Sequence, residues 1–82
     1  MIAGAGTAGA VLASYAARTG AFVVLLEAGP DPGPWQPLAW PADLIDADRV
    51  ATSHDWGYSG PAADGRVLPF PRARVMGGCS SH

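Results

Sequence analysis

The sequence predicts an α/β chain that starts with one β-α-β unit and continues through loops to a short hairpin. Three observations carry that expectation. A glycine-rich turn, Gly4-Ala5-Gly6-Thr7-Ala8-Gly9, separates a short apolar start from a stretch with helical spacing. A continuous apolar, β-branched run then fills residues 21–26. Beyond residue 28 prolines and glycines accumulate, with Asp64-Gly65 placed between two strand-like stretches.

The first strand is the apolar start, Met1 to Ala3. After the turn, Val11, Leu12, Tyr15 and Ala16 recur at helical spacing with alanines between them, which predicts a helix that Gly20 closes as a C-cap. The run 21–26 is apolar enough for a strand covered on both faces of a parallel sheet. The turn has the spacing G-x-G-x-x-G, and each glycine has its own task. Gly4 permits the tight exit from the strand. Gly6 leaves room for a pyrophosphate to approach the backbone, and Gly9 lets the helix sit near the strand. The helix N-terminus then offers unpaired N–H groups to phosphate. Glu27, 18 residues after Gly9, ends the second strand where a ribose-binding acid is expected. Together these features predict a Rossmann-like, dinucleotide-binding β-α-β unit. An acid rather than an arginine here favours FAD or NAD over NADP.

Composition removes several classes. The 82 residues are 49% hydrophobic and 15% charged, with a net charge of −2 and no basic cluster for nucleic acid. One cysteine permits no internal disulfide, and two histidines with one thiol are too few for a structural zinc site. No apolar run reaches the roughly 20 residues of a membrane span, and no basic signal-peptide region opens the chain. These features fit a cytoplasmic protein, and metal is not expected.

The middle of the chain reads as loop. Gly29 to Pro34 cannot continue a strand, and Trp35, Pro37, Trp40 and Pro41 suggest an ordered aromatic-proline segment. Pro41 to Val50 suits one or two helical turns, with Asp43, Asp46 and Asp48 forming a solvated acidic face. Ser53-His54-Asp55 is not read as a catalytic triad, because triad members converge from separate elements. Trp56 and Tyr58 are placed in a short strand, and Arg66 to Phe70 in its return, with Pro69 and Pro71 putting that return at an edge or end.

The closing stretch holds Arg72, Arg74, Gly77-Gly78, Cys79, Ser80, Ser81 and His82. The glycine pair permits close approach to a flat or anionic ligand, and either serine suits the cap of a helix. Cys79 and His82 lack the partners that a metal site or an activated thiol would need.

Four motifs in order resemble the glucose-methanol-choline (GMC) oxidoreductases: Gly4-x-Gly6-x-x-Gly9, Leu25-Leu26-Glu27-Ala28-Gly29-Pro30, Asp55-Trp56-Gly57-Tyr58 and Ala73-Arg74-Val75-Met76-Gly77-Gly78. The resemblance implies FAD as cofactor and hydride transfer from an alcohol CH–OH group to flavin N5, giving an aldehyde. It implies a pyrophosphate site at Gly4, Gly6, Thr7, Ala8 and Gly9, and an adenosine ribose site at Glu27 and Ala28. Arg74, Val75, Gly77, Gly78, Cys79 and Ser80 would run along the flavin. The ending Gly77-Gly78-Cys79-Ser80-Ser81-His82 is similar to the choline-oxidising members, in which the matching histidine bonds covalently to FAD, so His82 is a candidate tether. The family's proton-abstracting histidine lies far downstream, and no catalytic residue is assigned here. The chain is expected to be the N-terminal part of a GMC-type FAD-binding domain, inactive alone, whose full-length parent takes a small-molecule alcohol. Two other readings stay open: a remnant without independent activity, and an NAD-binding module.

Overall fold

The computed structural model describes residues 1–36 and 38–81. Strand β1 (Ile2–Ala3) runs into the glycine turn, helix α1 (Thr7–Arg18) follows, and strand β2 (Leu25–Leu26) returns parallel to β1. The register pairs Ile2 with Leu25 and Ala3 with Leu26. Two further bonds extend it: Ile2 N–H donates to the Val24 carbonyl at 2.8 Å, and Gly4 N–H to the Leu26 carbonyl at 2.7 Å. The β-α-β unit is therefore present, with a shorter second strand than the run 21–26 predicts. A strand needs a partner, and β1 offers β2 only two residues.

Helix α1 ends as expected. Thr19 N–H donates to the Ala16 carbonyl and Gly20 N–H to the Ala17 carbonyl, with Gly20 at φ +82°. The close approach of helix and strand falls at Gly9, where a Cβ would collide with the Gly4 carbonyl and touch Ile2 Cγ2. Gly4 itself stands at φ +91°, a conformation that side-chain-bearing residues rarely adopt.

The middle segment makes a single 3-10 turn, Ala42–Leu44, capped by Pro41. A longer helix is prevented by Asp46, whose carboxylate takes the Asp48 amide and pairs with Arg49 at 2.8 Å. Strands β3 (Ser59–Pro61) and β4 (Val67–Pro69) then form an antiparallel hairpin, with Gly60 opposite Leu68. Gly65 closes its loop at φ +83°. The first strand lies later than expected, starting at Ser59, and Trp56 and Tyr58 precede it. They still join the ladder's irregular continuation, where Trp56 N–H donates to the Arg72 carbonyl and the Tyr58 carbonyl accepts from Phe70 N–H. Both strands end on proline, which supplies no ladder donor.

The last 3-10 turn, Gly78–Ser81, begins at Gly78, so neither serine caps a helix. Ser80 Oγ instead donates back to the Gly77 carbonyl at 2.7 Å.

Burial is sparse. Ala5, Ala51 and Val75 are the buried apolar residues among those described. The expected apolar helix positions Val11, Leu12 and Tyr15 stay more than half exposed, and Phe22 is 93% exposed, so the run 21–26 is not covered on both faces within this chain. The radius of gyration is 15.3 Å, against about 12 Å for a compact domain of this length. The chain is a plate of 51 × 31 × 16 Å.

The contact at Gly9 gives a direct test. In urea denaturation Gly9→Ala should lose about 1–3 kcal/mol, because the new methyl meets backbone that cannot rotate away. Ala8→Gly, one position earlier on the same turn of helix, should lose about 1 kcal/mol or less.

Candidate functional site

Three stretches of backbone converge beside the start of α1. The first is the glycine turn. The second is the end of β2, from Glu27 to Pro30. The third is the return from Ala73 to Ser80. Gly77 forms a parallel bridge with Gly6, and Gly77 N–H donates to the Ala5 carbonyl at 2.9 Å. Met76 N–H donates to the Pro30 carbonyl at 2.9 Å. These approaches require bare backbone. A Cβ on Gly78 would lie 2.8 Å from Gly6 Cα, and one on Gly29 would collide with the Arg74 carbonyl.

Glu27 ties the first two stretches together. Its Oε2 accepts from Ala5 N–H at 2.8 Å and its Oε1 from Gly29 N–H at 2.9 Å. These amides, Gly29 first and Ala5 next, hold the carboxyl below the usual range and outweigh the opposing effect of partial burial. Sequence spacing marks Glu27 as a ligand residue; the structure also makes it a brace. Each carboxylate oxygen retains a lone pair for a further donor.

Between these stretches lies a cleft of about 640 Å³. The turn contributes Ala3, Gly4 and Gly6, and β2 contributes Leu26, Glu27 and Ala28. Trp56, Ala73, Gly78 and Cys79 complete the lining. Helix α1 begins beside it with Gly6 as N-cap, no side-chain cap bond and no acidic residue in its first turn. No acid of the helix's own first turn thus neutralises the amides of Thr7, Ala8 and Gly9 or the positive end of the helix dipole.

Other expected site residues sit differently. Val75 is 1% exposed and packs inward, while Gly9 faces Gly4. Thr7 Oγ1 donates to Ser80 Oγ at 3.1 Å, linking the helix start to the last turn. Gly77, at φ +94°, is covered by Ser81, whose Oγ a Cβ there would strike. The Arg74 guanidinium lies 5.7 Å from the Trp56 ring centroid, and Trp56 stacks on Tyr58 at 6.2 Å. Cys79 Sγ accepts from Ala73 N–H at 3.4 Å. His82, the candidate tether, and Pro37 lie outside the described residues. Sequence reasoning missed Trp56 and Ala73 as cleft residues. Their motifs were visible, but nothing in the spacing says that the hairpin's base folds back over β2.

Asp43 also departs from expectation. It is not a merely solvated acid: Oδ2 accepts from Thr52 N–H at 3.0 Å and Ser53 N–H at 2.7 Å, and Oδ1 from Ser53 Oγ at 2.7 Å. These bonds, led by the Ser53 amide, lower its pKa to about 2.

Comparison with known proteins places this geometry. The NAD(P)-binding Rossmann-like domain family matches residues 2–37. Pyranose dehydrogenase 2 of Leucoagaricus meleagris is 38% identical over 88 aligned positions, covering 100% of this chain and 14% of that protein. The oxygen-dependent choline dehydrogenase of Brucella suis biovar 1 is 38% identical over 86, covering 99% of this chain and 15% of its own. These homologues of the chain are GMC oxidoreductases, in line with the resemblance its motifs carry. The chain spans about one seventh of the length of the curated GMC relatives it matches. Sugar-named and choline-named GMC relatives match it at the same identity, so similarity alone selects neither substrate. Among the described residues no helix is long and apolar enough to cross a membrane, and no group of three or more His, Cys, Asp or Glu is placed to hold a metal ion.

The lowered acidities fix a pH dependence. Glu27 is more acidic folded than its ordinary 4.5, so the folded form binds fewer protons there and the stabilisation is present above that value. It is lost as pH falls through the lowered value. Asp43 adds a second loss that starts below 3.8 and runs to about 2. The urea midpoint should therefore begin to drop near pH 4.5, and in Glu27→Gln the onset should move toward 3.8.

Proposed function

We propose that this chain is the FAD-gripping segment of a flavin-dependent oxidoreductase acting on CH–OH groups. The observation that carries the reading is the cleft itself: glycine backbone on two sides, an uncapped helix start beside it, and Glu27 at the end of β2. The residues fit the group. Thr7, Ala8 and Gly9 have amides at the helix start to donate to a diphosphate, and no acid in that turn opposes its charge. The remaining lone pairs of Glu27 suit ribose hydroxyls, and the same carboxylate would repel a 2′-phosphate. Ala28 continues the β2 side of the cleft, and Trp56, Ala73 and Cys79 complete its lining.

Bound FAD would supply the hydride acceptor for alcohol oxidation. The chain's own residues do the holding and shielding, and the group that takes the alcohol's proton is assigned to the rest of the parent protein. FAD is preferred to NAD because the family resemblance runs through the return from Ala73 to Gly78. That stretch lies beyond the residues matching the NAD(P)-binding family.

Titration of the protein with FAD, NAD and NADP separates the cofactors. FAD should quench in a saturable manner and bind at least about tenfold more tightly than NAD, a difference near 1.4 kcal/mol. Gly6→Val should weaken FAD about tenfold or more, since the branched side chain occupies the phosphate approach. Tighter NAD binding would overturn the cofactor, and absence of all dinucleotide binding would overturn the site. In the full-length parent with FAD bound, anaerobic loss of flavin absorbance on adding a pyranose or choline would identify the alcohol class.

A further inference from the structure

The segment 43–54 lies outside the cleft, yet it is joined to the cleft wall by an unbroken line of short bonds. Asp43 receives the Thr52 and Ser53 amides and the Ser53 hydroxyl. Ser53 Oγ also lies 2.7 Å from His54 Nδ1. A hydroxyl has one proton, and an ionised carboxylate only accepts. The Ser53 proton therefore goes to Asp43, and the bond to His54 must carry the proton of Nδ1–H. This excludes a nucleophilic serine, because Nδ1 cannot take a proton that it is itself donating.

The same arrangement holds His54 at φ +54°, in the left-handed region that non-glycine residues seldom occupy. In that conformation its carbonyl accepts from Arg74 N–H at 2.6 Å. Asp55 bridges Ala73 next to it, and its Oδ2 accepts from Arg72 N–H at 2.7 Å. Arg74 in turn lies against Gly29, while Ala73 and Trp56 line the cleft.

We propose that Asp43 is a positioning residue for the cleft: acting through Ser53, it holds His54 in the left-handed conformation that places the Ala73–Arg74 wall. Asp43 touches nothing in the cleft. It reaches the wall through the His54 backbone carbonyl, and the His54 side chain enters twice: its Nδ1–H is the group Ser53 Oγ holds, and its Cβ makes the left-handed turn costly without that clamp.

The test uses that asymmetry. Asp43→Asn cannot accept at both ends of its head group, and amide hydrogen exchange at Arg74 should quicken about tenfold or more. His54→Gly alone should leave Arg74 exchange near the wild-type rate, because glycine adopts φ > 0 without support. Added to Asp43→Asn, His54→Gly should restore most of the lost protection, which a general loosening of the 43–54 loop would not do. Nitrogen-15 spectra should show His54 protonated at Nδ1 in the wild type. Should Asp43→Asn not fold, Ser53→Ala keeps the Asp43–amide bonds and should lose that tautomer signature together with part of the Arg74 protection. Unchanged Arg74 exchange in Asp43→Asn, failure of the double variant to recover, or a neutral His54 protonated at Nε2 would each overturn the proposal. A second arm rests on the FAD reading: Asp43→Asn should weaken FAD about tenfold and His54→Gly should restore it. The exchange and tautomer measurements are made without FAD, so a failed cofactor reading leaves them intact.

Discussion

Bare backbone meeting bare backbone is the constraint on which this structure depends. Gly9 must touch the Gly4 carbonyl for the helix to leave the strand at this angle, and Gly78 must lie against Gly6 for the return to reach the turn. Gly29 must let the Arg74 carbonyl pass. Each contact joins a different pair of segments, so the three hold turn, β2 end and return in one arrangement. A methyl at any of them meets main chain, which cannot relax as a side chain does. The Glu27 carboxylate fits this scheme because it supplies acceptors where the crowding leaves the Ala5 and Gly29 amides without a carbonyl partner.

The energetic consequence is a unit ordered more by hydrogen bonds and turns than by a core. Ala5 and Val75 are buried where the segments cross, and Ala51 is buried in the middle of the chain; all three are small. Large apolar side chains on α1 and before β2 remain in contact with solvent. Burial at about 25 cal/mol per Å² is the main stabilising contribution in a folded domain, and here little of it is realised. Carboxylate-to-amide bonds at Glu27, Asp43 and Asp55 recur wherever the backbone turns without a ladder. Those at Glu27 and Asp43 leave the segment sensitive to acid, for the reason that the same bonds make these two carboxyls hard to protonate.

Several features were legible in the chain because they are local. The glycine spacing, the helix between residues 7 and 18 with its Gly20 stop, the parallel return and the Asp64-Gly65 hairpin all follow from short-range preferences. Errors arose where a local pattern depended on partners elsewhere. The apolar run 21–26 has strand composition throughout, yet only Leu25–Leu26 pairs in sheet, because β1 is that short. Trp56 and Tyr58 look like strand residues and lie just before one. Ser80 and Ser81 look like caps and sit inside the final turn. The three acids of the middle segment read alike in sequence. Asp46 bonds near neighbours, Asp48 and Arg49, whereas Asp43 reaches Thr52 and Ser53, which lie nine and ten residues away.

The sequence by itself determined the β-α-β unit, since glycine spacing, helix termination and strand composition act over a few bonds. Tertiary structure decided which residues share a space. It brought Trp56, Ala73 and Cys79 into one cleft with Glu27, turned Val75 inward, and set Asp43 to hold a histidine that in turn holds Arg74. No local preference contains those pairings, because each depends on residues distant in sequence arriving side by side.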